Sequence, residues 1–375
     1  MSVYPTMSKI TEAKVFILKP NALMTIGFGQ NVLWDTPYSG IVQISTDDGV
    51  DGNYIASAGD LEEFMRHLAA DRDVIIGADP FDREGIEKRL AKRRWTNSIL
   101  SVLDICVWDI LGKTLKHPIY KLLGAYRDKI MAYASGVAGA IGGSRNQIDI
   151  ALECKRKGFR ALKVHPSQQS WKKDIELCKA VREAVGEEMI LMFDPYSHEH
   201  YDRETALKVG RAIEHLGFYW YEDPLPTNDY YGLSELCRLL DVKMMIGEYV
   251  SGLDGYKMLI ERRATDSLRC VDGLVGGISA MMKVSHLAEA FNMKCEPHSY
   301  GPTLMQAAHL HIMLSNENCD FFESPVPEAF YEKGMIDTIR IDGDGFVHGP
   351  RKPGLGYDID WKFVRENTLR MLPEQ

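Results

Sequence analysis

Short apolar runs alternate with amphipathic segments through the second half of the chain, from about residue 130 onward. The runs have the length of β-strands and the segments between them have helical spacing, a pattern typical of repeated βα units and a parallel sheet. The runs are Ile130 to Gly136, Ala161 to His165, Met189 to Asp194, Phe218 to Glu222, Met244 to Glu248, Leu268 to Asp272, Met293 to His298 and Phe321 to Glu323. Eight such strands predict an α/β fold, a (β/α)7β barrel of the TIM type.

Seven of these runs end in a residue that can bind a metal ion or carry a proton. These residues are His165, Asp194, Glu222, Glu248, Asp272, His298 and Glu323. The strands of a closed barrel run in one direction, so their carboxyl ends meet at one mouth, where barrel enzymes build their active sites. An open, doubly wound sheet would instead collect its ligands at a single switch point. The regular spacing of the seven residues favours the barrel.

The chain on either side of the barrel has a mixed pattern. Two ranges have the alternating pattern of strands, Val15 to Ile17 and Ile41 to Ser45. Three helical segments follow them, at Leu61 to His67, Asp82 to Arg93 and Thr96 to Thr114. We therefore expect residues 1–126 to form an α+β capping domain and residues 127–335 to form the barrel. Residues 336–375, with a predicted final helix over Trp361 to Leu372, come too late to be a barrel repeat and are expected to return to the cap.

Composition narrows the class of protein further. A chain of 375 residues with 45% hydrophobic and 26% charged residues is typical of a globular protein with a large core. The formal net charge of −9 argues against affinity for nucleic acid or an anionic membrane surface. Seven cysteines without a C-x-x-C pair, and an N-terminus without a basic and apolar leader, predict reduced thiols and a cytoplasmic location.

Three successive strand ends offer carboxylates, at Asp194, Glu222 and Glu248. Oxygen ligands without cysteine or histidine select Mg²⁺, with Mn²⁺ as a substitute, over Zn²⁺. Three close carboxylates would also repel one another strongly without a cation. The sequence therefore predicts one magnesium ion at the barrel mouth.

The remaining strand ends offer groups for proton transfer. Asp272 and His298 follow neighbouring strands, so the carboxylate is expected to hold one imidazole nitrogen while the other faces the substrate. Lys163 and His165, two residues apart on one strand, project to the same face and provide a second proton carrier. With Glu323, these groups indicate abstraction of the proton α to a carboxylate, with the cation stabilising the enediolate that forms.

Two segments carry a resemblance to a known family. Residues 101–113, SVLDICVWDILGK, followed by residues 118–124, PIYKLLG, resemble the passage from cap to barrel in the enolase superfamily, in its mandelate racemase-like subgroup. The resemblance covers nearly the whole chain. It implies a magnesium ion bound by Asp194, by Glu222 in Tyr-Glu-Asp-Pro, and by Glu248 in Gly-Glu. It also implies a small carboxylate substrate and a symmetric homo-oligomer.

The resemblance assigns roles to three further residues. Asp272 and His298 would form the catalytic dyad of the subgroup, and Glu323 would donate a hydrogen bond to a carboxylate oxygen of the substrate. Most members of the subgroup with this dyad are acid-sugar dehydratases, which form a 2-keto-3-deoxy acid, and we expect that reaction. His298 would act as base or acid, and His165 or Lys163 would take the other role.

The chain departs from the subgroup at two motifs. Racemases carry Lys-x-Lys on the second barrel strand, where this chain has Lys163-Val164-His165. The next strand lacks the common asparagine two residues after Asp194, so Tyr196 or His198 is expected to contact the substrate. A cap loop that contains Trp34 would cover the mouth. A racemase of a 2-hydroxy acid, or a metal-binding barrel without catalysis, are the alternative functions.

Overall fold

The computed structural model describes residues 8–19, 40–56, 58–136, 147–166, 170–195 and 201–373. Three predicted substrate contacts, Trp34, Tyr196 and His198, lie outside the described residues. In the part of the chain that is described, no helix is both long and apolar enough to span a membrane.

The first part of the chain forms an antiparallel sheet covered by helices. Its elements are β1 (Ile10–Leu18), β2 (Gly40–Thr46), β3 (Asp51–Ala56), α1 (Ala58–Ala70), α2 (Arg72–Ile75), α3 (Arg83–Ala91), α4 (Asn97–Thr114) and α5 (Ile119–Leu123). Strand β2 pairs with both β1 and β3, and from Val42 onward its buried side chains alternate with partly exposed ones, as expected for a sheet that is covered on one face. Helix α4 is buried along nearly its whole length, which explains its apolar sequence.

Eight parallel strands form the barrel. The strands are β4 (Lys129–Gly136), β5 (Ala161–Val164), β6 (Ile190–Phe193), β7 (Trp220–Glu222), β8 (Lys243–Ile246), β9 (Ser267–Leu268), β10 (Lys294–Cys295) and β11 (Phe321–Val326). The sheet runs in this order from β4 to β10, and β11 pairs in parallel with β4. Between β10 and β11, the Cys295 amide donates to the Asn318 carbonyl at 2.9 Å. The predicted barrel with an α+β cap is confirmed.

Helices connect the barrel strands. They are α6 (Gln147–Lys157), α7 (Trp171–Val185), α8 (Arg203–His215), α9 (Tyr230–Leu239), α10 (Gly252–Glu261), α11 (Asp272–Val275), α12 (Ile278–Ala290) and α13 (Thr303–Ser315). A short 3-10 helix, Glu328–Tyr331, follows β11. Several strands are shorter than the apolar runs predicted, so Glu248 and His298 lie in the loops that follow β8 and β10, and Asp272 is the first residue of α11.

The last part of the chain first pairs with the barrel strand β4 and then returns to the cap sheet. Its elements are β12 (Phe346–His348), which pairs with β4, then α14 (Trp361–Asn367) and β13 (Thr368–Leu372). The predicted helix over Trp361 to Leu372 is wrong beyond Asn367. Residues 368–372 pair with β1, with Leu372 opposite Val15, because that edge of the cap sheet offers backbone hydrogen-bond partners.

A plug of large side chains fills the barrel below its mouth. The plug consists of Tyr133, Ala161, Met192, Trp220, Met245 and Phe321. Trp220 stacks edge to face on both Tyr133 and Phe321, at ring-centroid distances of 5.3 and 5.9 Å. Because this interior is apolar and closed, ions and a polar substrate are confined to the mouth of the barrel.

One buried carboxylate ties the cap to the C-terminal segment. Asp109, on α4, accepts hydrogen bonds from the amides of Asn53 and Leu355, at 3.0 and 2.8 Å, and from Lys113 Nζ at 2.6 Å. Gly112, one turn further along α4, lies directly against Gly354 of the same C-terminal segment. Helix α4 and residues 354–355 are therefore packed backbone to backbone.

Gly112→Ala tests this close approach. An added Cβ would lie 2.5 Å from Gly354 Cα and 2.7 Å from its nitrogen, and neither backbone atom can move freely. We expect a loss of about 1–3 kcal/mol in the free energy of unfolding, measured by urea denaturation. Gly59→Ala, in α1, is the matched control, since no atom lies within 4 Å of its added Cβ. An equal effect of the two substitutions would contradict this packing.

Candidate active site

Four carboxylates from four strands lie at the barrel mouth. Glu222 ends β7, Glu323 lies in β11, and Asp194 and Glu248 follow β6 and β8. One oxygen each of Asp194, Glu222 and Glu248 lies within 4.8 Å of the other two. All but Glu248 are buried. The three residues predicted as metal ligands are therefore close enough to share one ion.

Lys163 lies among these acids. Its ammonium nitrogen is 3.2 Å from Asp194 Oδ2, 3.1 Å from Glu222 Oε1 and 2.9 Å from Glu323 Oε1. Burial and the nearby Arg269 act to lower the pKa of Lys163, but Glu222 and Glu323 outweigh both and raise it well above its ordinary value. Lys163 is therefore a fixed positive charge in this site.

Arg269 is a second cation in the site, and the sequence analysis missed it. Its Nε lies 2.7 Å from Glu222 Oε1 and 3.4 Å from Glu248 Oε2, and its Nη2 donates to Glu323. The side chain is fully buried. A signal was present in the sequence, because an arginine inside an apolar barrel strand requires ionic partners.

The charges in the site do not balance without a further cation. Four carboxylates face two cationic side chains, Lys163 and Arg269, which leaves two negative charges in excess if all are ionised. Buried charge without compensation costs several kcal/mol. The oxygen donors contain no thiolate, and they match the preference of a hard divalent ion. The residues present therefore fit one such ion.

Glu248 is held in place by a strained turn. The carboxylate of Asp223 accepts hydrogen bonds from the backbone amides of Gly247 and Glu248, at 3.1 and 3.2 Å. Gly247 has a φ of +133°, and a Cβ there would meet the Arg269 carbonyl oxygen at 2.5 Å. Burial, followed by the charge of Glu248, raises the pKa of Asp223 to about 7. Only glycine fits at position 247, so Glu248 projects into the mouth.

His165 lies beside Asp194, on the same side as Lys163. Its Nδ1 is 3.3 Å from the Asp194 carbonyl oxygen and 3.7 Å from Asp194 Oδ2, and its Nε2 is 3.5 Å from Ser135 Oγ. Burial lowers the pKa of His165 to about 4, and Asp194 offsets this only in part. The predicted placement of Lys163 and His165 on one face is confirmed, and the imidazole is neutral.

His298 lies across the acids from His165. Its Nε2 is 3.7 Å from Glu248 Oε1 and 3.9 Å from Glu323 Oε2. Burial lowers the pKa of His298 despite these two carboxylates. Glu323 accepts hydrogen bonds from Arg269 and from the Ser299 amide, and its hydrogen bond to a substrate carboxylate stays a prediction.

The predicted pairing of Asp272 with His298 is wrong. Asp272 Oδ1 lies 3.2 Å from His309 Nε2, and Oδ2 accepts from the hydroxyls of Tyr54 and Ser101, at 2.6 and 2.7 Å. The buried Nδ1 of His298 has no hydrogen-bond partner among the described residues. Asp272 therefore faces the cap and α13, outside the ring of acids.

The direction of Asp272 follows from the alternation of side chains along an extended chain. Arg269 points into the mouth, and Val271 has extended backbone angles, with φ −125° and ψ +133°. Residues two apart share a face, so Asp272 projects to the opposite side from Arg269 and Val271. His309 was also missed, because on the apolar helix α13 it has the appearance of an ordinary core residue.

Comparisons with known proteins agree with this fold. Residues 148–363 match the enolase C-terminal domain-like family. Residues 32–124 match the N-terminal domain of the mandelate racemase/muconate lactonizing enzyme family. The chain therefore belongs to the mandelate racemase/muconate lactonizing enzyme family of the enolase superfamily.

Several relatives are dehydratases of acid sugars. The L-talarate/galactarate dehydratase of Salmonella typhimurium is 31% identical, over 72% of this chain and 69% of its own. The arabinonate dehydratase of Saccharolobus solfataricus is 32% identical, over 72% of each chain. The crystal structure of D-glucarate dehydratase from Agrobacterium tumefaciens, complexed with magnesium, has a TM-score of 0.83 and 31% identity, and the match covers 96% of this chain and 99% of that one.

The lowered pKa of Asp272 predicts how the stability of the fold depends on pH. Burial alone would raise it, but the hydrogen bonds from His309, Tyr54 and Ser101 outweigh burial and lower the pKa to about 2. An unfolded aspartate titrates near pH 3.9, so this shift stabilises the fold above about pH 4, and the stabilisation is lost as pH falls through about 2. Asp272→Asn should cost roughly 2–3 kcal/mol near pH 7 and clearly less near pH 3.5, measured by urea unfolding.

Asp104→Asn is a control of opposite sign. Burial raises the pKa of Asp104 to about 6, and hydrogen bonds from Ser279 offset this only in part. The folded protein then holds this proton at pH values where the unfolded chain has released it, so stability falls from about pH 4 to about pH 6. The free energy of unfolding of Asp104→Asn should therefore rise relative to that of the unmodified protein as pH increases. The same pH dependence for both variants would contradict the assignment.

Proposed function

We propose that this protein is a magnesium-dependent acid-sugar dehydratase. It would remove the proton α to a substrate carboxylate and eliminate the β-hydroxyl, which yields a 2-keto-3-deoxy acid. The observation that carries the proposal is the ring of acids at the mouth, with an imidazole on each side of it. The named activities of the relatives support the same reaction class.

Asp194, Glu222 and Glu248 would hold the magnesium ion. A bound Mg²⁺ would neutralise the substrate carboxylate and the negative charge that develops when the α-proton leaves. Arg269 already occupies one oxygen each of Glu222 and Glu248. It therefore keeps both side chains directed at the mouth before any ion arrives.

The two imidazoles are the proton carriers that we propose. His165 and His298 approach the acids from opposite sides, through Asp194 and Glu248 respectively. One would take the α-proton as a neutral imidazole, and the other would protonate the departing hydroxyl from its imidazolium form, as dehydration requires. Lys163, held by three carboxylates, provides positive charge instead of moving a proton. Glu323 would hold the cationic side chains of Lys163 and Arg269 beside the substrate carboxylate.

The proposed metal site predicts a thermal shift that needs no substrate. Adding Mg²⁺ to chelator-treated protein should raise the melting temperature, because an ion bound only by the folded state adds about 2.7 kcal/mol at one hundred times its dissociation constant. Asp194→Asn should lose this shift. The control is Glu296→Gln, which should keep the thermal shift. Glu296 is a buried carboxylate that accepts hydrogen bonds from the amides of Asp320 and Phe321. An intact shift in Asp194→Asn would exclude this site.

The reaction is tested by a screen of mono- and diacid sugars with excess Mg²⁺, with 2-keto product detected by semicarbazone absorbance. We expect one compound or a small group to give product, and His298→Asn to abolish it, a fall of at least about 100-fold for a lost proton carrier. The exposed His348→Asn should retain full activity. No product from any compound would refute dehydration. Solvent deuterium entering a 2-hydroxy acid without keto product would identify a racemase instead.

A further inference from the structure

Asp272 lies where three parts of the fold meet. Its carboxylate accepts hydrogen bonds from Tyr54 on cap strand β3 and from Ser101 on cap helix α4. Its other oxygen pairs with His309 on barrel helix α13. All four side chains are buried. Burying this carboxylate without hydrogen bonds would be costly, and the bonds from these three side chains compensate that cost.

His309 continues the connection toward the mouth. Its Nε2 is 3.2 Å from Asp272 Oδ1, and its Nδ1 is hydrogen-bonded to the backbone carbonyl oxygen of His298. Both ring nitrogens therefore face acceptors, and an imidazolium ion can donate to both.

The backbone around His298 is held on both sides. The His298 amide donates to the Cys270 carbonyl at 2.9 Å, and the Ser299 amide and hydroxyl bond to Glu323. The imidazole itself has no hydrogen bond at Nδ1 within the described part of the chain. The direction of the imidazole therefore depends on its main chain, to which His309 is bonded, together with the contacts of Nε2 with Glu248 and Glu323.

We propose that Asp272 and His309 are a positioning pair, which orients His298 through its backbone carbonyl and makes that orientation depend on the seating of the cap. This rests on the proposed function, in which His298 carries a proton. Tyr54 and Ser101 are the cap's part of the connection. A change in the packing of the cap against the barrel would then alter the orientation of His298 at the mouth, although the cap does not contact His298 in this connection.

Tyr54→Phe and Ser101→Ala test the connection in the full-length protein. Each removes one hydrogen bond to Asp272 and leaves His309 and His298 in place. Hydrogen–deuterium exchange of the peptide that contains the amides of residues 298 and 299 should become about tenfold faster, the effect of one lost hydrogen bond. Tyr201→Phe is the matched control, since its hydroxyl donates to the buried Asp174 of α7 at the same distance, 2.6 Å. It should leave this exchange unchanged.

Kinetics with an acid sugar that the protein converts provide a second measurement. Tyr54→Phe should lower kcat about tenfold with KM within about twofold, because orientation of a proton carrier affects the transition state more than binding. His309→Gln should lower kcat further, and His309→Gln combined with Tyr54→Phe should fall by less than the product of the two effects. Tyr201→Phe should retain kcat.

The outcomes separate this proposal from the proposed function. Equal exchange at residues 298–299 in Tyr54→Phe and Tyr201→Phe overturns the positioning pair, whatever the substrate. Faster exchange with an unchanged kcat also overturns it. If no acid sugar is converted, dehydration fails as the function, and the exchange measurement alone then supports or overturns the connection from cap to His298.

Discussion

The site depends on one electrostatic constraint, the mutual repulsion of four carboxylates brought together by the barrel. Lys163 and Arg269 neutralise part of this charge, and each contacts three of the acids. The two excess negative charges, if all four are ionised, match a single divalent ion. Because both cations are buried and bonded to several acids at once, the ligand side chains are held in position before an ion or a substrate binds.

The rest of the barrel serves this arrangement by keeping water and charge out of the interior. The aromatic plug around Trp220 closes the space beneath the acids, and the Trp220 indole nitrogen also donates to Glu222 Oε2 at 3.1 Å. The same side chain thus separates the two environments and orients a proposed ligand. A low-polarity floor strengthens each ionic contact above it.

Arg269 and Asp272 lie three residues apart and have opposite surroundings. Arg269 joins the ring of acids, whereas Asp272 joins the cap to α13. In the described part of the chain, no aspartate is therefore paired with His298, and the proposed positioning pair would orient this histidine instead. In this respect the site departs from the arrangement that the family resemblance implied, while the grouping of the three proposed metal ligands agrees with it.

The sequence by itself determined the barrel, the cap and the three acids that we propose as metal ligands. Periodicity identifies strands and helices, and parallel strands in a closed ring necessarily place their carboxyl ends at one mouth. Tertiary structure alone decided the partners of Asp272, the place of Arg269 and the strand at residues 368–372. The physical reason is that a shift of one residue at a strand end reverses the direction of a side chain, and edge pairing depends on what the distant β1 offers. Neither is encoded in local spacing.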